Sequence, residues 1–192
     1  MIWLLLGVIL FSVVHMLPTV GIGLKQALVA RIGINPYKGL FSLALIGAVA
    51  LMVFGWRSTT PVYFYHFGPW APGLTWLIMW FAIFLVRAPY QPSRVSQYLR
   101  HPQLTGVLLW SVGHLLANGD SRALVLFGGL GIWAILEMWL ISRRDGAWVK
   151  PPIPSLKAET LGVVTSLAIY AVLVYLHPYF TGLSPVAALG AH

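Results

Sequence analysis

Residues 100–120 read RHPQLTGVLLWSVGHLLANGD. An Arg-His-Pro triplet opens the stretch, glycines stand at 106 and 113, a histidine follows at 114, and Asn-Gly-Asp closes it. Proline suits the first position of a helix and turns the residue before it away from helical dihedrals, so a helix is expected to start at Pro102. Asn118 and Gly119 end it. Between these limits the run carries no charge, and a histidine in its middle has no place in a purely structural helix of this kind. This stretch therefore predicts both the fold, a bundle of apolar helices, and the place to look for chemistry.

The rest of the chain repeats the apolar pattern. Of its 192 residues 59% are hydrophobic and only 8% charged, with a mean hydropathy of +0.83. Too few ionisable side chains exist to cover a water-soluble domain of this size, so the solvent is lipid. Further apolar runs cover residues 2–24, 40–56, 72–86, 124–141 and 161–176. Together with 104–117 they predict an all-α integral membrane bundle of six transmembrane helices in a single domain over 1–192. No basic segment precedes the first run and no small-residue cleavage site follows it, so a removable signal peptide is not expected. No internal repeat or long linker divides the chain. With no cysteine, disulfides and thiolate ligands are excluded, and a metal would be held by nitrogen or oxygen.

The net charge of +8 reflects topology rather than a nucleic-acid partner. Lys25, Arg31, Lys38, Arg87, Arg94, Arg100, Arg143, Arg144, Lys150 and Lys157 fall in alternate loops, leaving only Arg57 and Arg122 for the opposite side. Basic residues gather on the inner side of a membrane, which predicts both termini outside. The first basic loop is expected to form a short amphipathic helix on the inner surface, and the prolines at 151–154 an extended, stiff segment.

This topology sorts six histidines by depth. His66, His177 and His192 are expected at or beyond the outer interface, and His101 at the inner one. Counting helical rise places His15 and His114 both near the bilayer middle. An imidazole in hydrocarbon is costly unless paired, so two on different spans point to a shared ligand; the bland alternative is a hydrogen bond from each to neighbouring backbone. Gly106, Trp110 and Gly113 lie along the helical stripe beside His114, and Pro18 is expected to kink the first span next to His15. Glu137 is the one acid within an apolar run. It is expected near the level of Arg100, His101, Arg143 and Arg144 with one of them as partner, either as a plain salt bridge or as part of an inner anion- or cofactor-binding pocket. Asn118, Asp120 and Arg122 read as a capped turn.

His15, the 100–120 stretch, the run LFGGLGIW at 126–133 and the acid ahead of RRDG together resemble the NnrU family of bacterial membrane proteins, across nearly the whole chain. The resemblance implies a multi-pass protein of the bacterial inner (cytoplasmic) membrane, linked to nitrite and nitric oxide reduction in denitrification or to its regulation. The pattern is also similar to that of plant 15-cis-zeta-carotene isomerase, which holds haem b between two histidines. Those ligands would match His15 and His114, with Gly106, Trp110 and Gly113 beside them. The isomerase's cysteine three residues before the second histidine is Ser111 here. A third similarity, to integral membrane methyltransferases, would place S-adenosylmethionine at Arg100, His101, Pro102, Gly106 and Glu137. The resemblance leaves open a non-enzymatic accessory role beside a respiratory or denitrification complex, and a small hydrophobic substrate.

Overall fold

The computed structural model describes residues 1–90 and 93–186; His192 lies outside them. Seven helices follow in order: α1 (Ile2–Val20), α2 (Ile22–Ile32), α3 (Ile34–Ser58), α4 (Trp70–Arg87), α5 (Pro102–Ala117), α6 (Ser121–Asp145) and α7 (Leu156–Thr181). Among the described residues there is no strand, only an isolated bridge between Tyr63 and Asp120. The all-α architecture expected from hydropathy is the one found.

Five helices, α1, α3, α4, α6 and α7, are long and apolar enough to cross a membrane. The expected fourth span, α5, begins at Pro102 and stops before Asn118 as anticipated, but has only 16 residues. That is about 24 Å of helix. Length and composition therefore support five crossings directly rather than six. Leu43 and Ile132, 64% and 62% exposed, are typical of the apolar outer surface, which in lipid needs no cover.

Helix α1 packs on α3 and α4 on α5; α6 joins the two pairs by touching α1 and α5, and α7 lies against α4. Leu4, Val8, Met52, Trp56, Phe127, Leu130 and Trp133 form the centre. Contacts between loops define two ends. At the basic end Arg144 Nη1 donates to the Pro18 carbonyl at 3.3 Å, Ser93 Oγ to Glu159 Oε1 at 2.9 Å, and Gln97 Nε2 to the Pro151 carbonyl. At the far end the Met1 amino group meets Thr59, and the Phe64 N–H donates to the Gly119 carbonyl at 2.8 Å. The helix expected in the first basic loop is α2, carrying Lys25 and Arg31.

The turn between α5 and α6 is capped as its sequence suggested. Asp120 Oδ1 accepts from the Arg122 and Ala123 N–H groups at 2.8 and 3.2 Å, satisfying donors that the helix start leaves free. The next turn, Leu124–Gly128, is π-helical, wider than an α turn, and buries Phe127 against α5.

Candidate functional site

His114 sits one turn before the end of α5. Its Nδ1 lies 2.9 Å from the Trp110 carbonyl oxygen. A carbonyl only accepts, so Nδ1 carries the proton and the lone pair is left on Nε2. The ring stacks on Phe127 at 4.2 Å and 17°, with Trp110 at 4.9 Å. His15 on α1 repeats the arrangement. Its Nδ1 lies 3.1 Å from the Phe11 carbonyl oxygen, and its ring is walled by Phe11 at 4.1 Å, Trp133 at 5.1 Å and Phe41 at 6.0 Å. Neither Nε2 makes a hydrogen bond among the described residues.

Each bond reaches one turn back toward the N-terminus of its own helix, and α1 and α5 run in opposite directions. His15 therefore leans toward the far end and His114 toward the basic end, both toward the bundle middle. Their backbones are not at one height, as rise-counting from the loops suggested. His15 is five residues from the end of α1 and His114 three from the end of α5, at opposite ends of the bundle. The two rings do not touch. Phe127 packs on His114 and Trp133 on His15, and these two are six residues apart on α6 and so about 9 Å apart along it. The imidazole that does approach His114 is His177 on α7, with ring centroids 6.3 Å apart and 17° between planes. The sequence places position 177 at the interface only, because nothing in it shows that α7, packed on α4, brings this ring to α5.

The two α5 glycines do not line a cavity with Trp110. A Cβ on Gly106 would lie 2.7 Å from the Ala82 carbonyl oxygen and one on Gly113 would lie 2.7 Å from Met79, so both serve the close approach of α4. Trp110 and His114 face α6 instead.

Glu137 also differs from expectation. It is buried, 4% exposed, and among the described residues no arginine or histidine forms a close ion pair with it. The Thr19 hydroxyl donates to Oε1, while Oε2 has no hydrogen-bond partner among the described residues. The expected cations are engaged elsewhere: Arg144 pairs with Asp145 at 2.7 Å, and Arg143 lies over the Trp139 ring at 4.0 Å. Pro18 breaks the regular hydrogen bonding of α1 just before Thr19, the one partner the carboxylate has. Thr19 was missed because its role depends on how α1 and α6 register.

His101 and Arg100 border a cleft of about 800 Å³ at the basic end, between the start of α5, the end of α6 and residues 147–154. His101 Nε2 and Ser142 Oγ lie 2.7 Å apart. Burial, and next the Arg100 cation, hold the His101 imidazole below its ordinary pKa. Glu137 does not line this cleft and Gly106 faces α4, so the residues grouped by the methyltransferase similarity are divided among three surroundings. Ser111, at the place of the isomerase's cysteine, is buried with its hydroxyl unbonded among the described residues.

No three His, Cys, Asp or Glu side chains gather as a metal site among the described residues. Two imidazoles are the donors that would suit haem chemically: each is held in the Nδ1–H tautomer by backbone, which would leave Nε2 for iron.

The family model described as NnrU protein matches residues 3–185, so the chain belongs to the NnrU family. No curated protein and no solved structure matches it.

Proposed function

We propose that this NnrU-family protein binds haem b through Nε2 of His15 and of His114, in the inner membrane of a bacterium, and serves nitrite and nitric oxide reduction or its regulation. The observation that carries this reading is the matched pose of the two imidazoles, each tied by Nδ1–H to the carbonyl four residues back. Such an outer bond fixes the tautomer and raises the basicity of the opposite nitrogen, which is the usual state of a histidine that ligates iron. When bound, haem supplies one-electron chemistry. The chain's own part is to orient the two nitrogens and to keep water from them with Phe11, Phe41, Trp110 and Trp133. The reading includes six crossings, with α5 as the short one, and both termini on the outer side.

The test is spectroscopic. Protein produced with supplemented haem is expected to show a Soret band that is lost in the His15→Ala, His114→Ala double variant. A band that survives both changes overturns the assignment of ligands, and no band in the unaltered protein overturns haem binding itself.

A further inference from the structure

The cleft at the basic end plays no part in the haem reading. Its volume of about 800 Å³ suits a small-molecule ligand. Its walls divide into two chemical zones. Leu104, Ile141 and Trp148 make one apolar, whereas Ser96, Arg100 and Gln103 line the other. Arg100 is half-buried as a residue, and its guanidinium makes neither a hydrogen bond nor a close ion pair among the described residues. Asp145 is its acidic neighbour in the cleft, but that carboxylate is occupied by Arg144 at 2.7 and 3.3 Å. A guanidinium with an open fork in a cleft is a site for a planar or tetrahedral oxyanion.

The rim points to the kind of molecule that carries the anion. Val149 and Ile153, 87% and 70% exposed, stand beside the cleft at the end where the basic residues collect. Lys150 lies over the Trp148 ring at 5.4 Å, a pair that anchors well where lipid meets water. Such a rim suits the headgroup layer of a membrane. The prolines at 151, 152 and 154 stiffen that edge, and the Gln97 bond to the Pro151 carbonyl pins it to the loop before α5, so the cleft stays open.

We propose that this cleft binds an anionic phospholipid, the Arg100 guanidinium on the headgroup phosphate and the wall of Leu104, Ile141 and Trp148 along the acyl chains. A soluble phosphate ester shares the headgroup chemistry but has nothing to place on the apolar wall.

Delipidated full-length protein in detergent, titrated with short-chain phosphatidylglycerol and followed by native mass spectrometry, tests this. Retention of phosphatidylglycerol over phosphatidylcholine is expected, with affinity lowered about tenfold in Arg100→Gln and unchanged in Arg57→Gln at the other end. Equal binding of the two lipids, or an unweakened Arg100→Gln, overturns the proposal. Displacement by glycerol 3-phosphate at equal concentration also overturns it, in favour of a soluble anion. Should Arg100→Gln fail to fold, Arg100→Lys and Trp148→Ala decide: each is expected to weaken binding severalfold, and unchanged affinity in both sinks the idea.

Discussion

A carboxylate held by a single hydroxyl inside an apolar bundle sets the terms at the scale of single residues. Had Glu137 been half of a buried ion pair, removing its charge would strand a cation at a cost of about 3–5 kcal/mol. With Thr19 as its only partner the expectation reverses. Glu137→Gln keeps an oxygen for the hydroxyl and should change stability by no more than about 1 kcal/mol, whereas Thr19→Val strips the acid of its last bond and should cost about 1–3 kcal/mol. Thermal unfolding in detergent separates the two. His101 gives a pH dependence of definite sign. Its folded pKa is depressed below the ordinary histidine value of 6.5, so its contribution is present above that value and is lost as pH falls through the folded pKa. His101→Gln should flatten the unfolding profile over that acid window.

The glycines of α5 show what a helix's own sequence leaves unsaid. Gly106, Trp110 and Gly113 fit within about 60° of helical arc and His114 lies about 40° beyond Trp110, close enough to read as one stripe. In the bundle that stripe is divided by neighbours: the glycines meet α4, the aromatic and the histidine meet α6. The ends of α5 were legible because Pro102 and Asn118 act locally, and so was the Asp120 cap. Which way each face turned was not legible, since that depends on which helices come alongside. Gly106→Ala is expected to cost about 1–3 kcal/mol by driving a methyl into the Ala82 backbone. Asp120→Ala should cost about 1 kcal/mol through the lost cap. A chemical or thermal melt of each variant checks both values. The approach of His177 to His114, and the packing of Phe127 on His114 and of Trp133 on His15, belong to the same class of unwritten information.

For the whole molecule, charge and hydropathy carried the reading furthest. The all-helical membrane architecture follows from composition alone, and the contacts among residues 18, 93–101 and 142–159 bring the basic segments to one end, as their alternation in sequence implied. A reporter fused after His192 should accordingly be active on the outer side, and activity restricted to the cytoplasm overturns that orientation. The 16-residue length of α5 has a further consequence, for the lipid around it. On the six-crossing reading proposed above, about 24 Å of helix set into a hydrocarbon layer of roughly 30 Å is a case of hydrophobic mismatch, relieved by thinning the bilayer locally on the side where α5 meets lipid. Reconstituted protein should melt at a higher temperature in short-chain than in long-chain phosphatidylcholine, and in a mixed membrane it should partition toward the thinner regions.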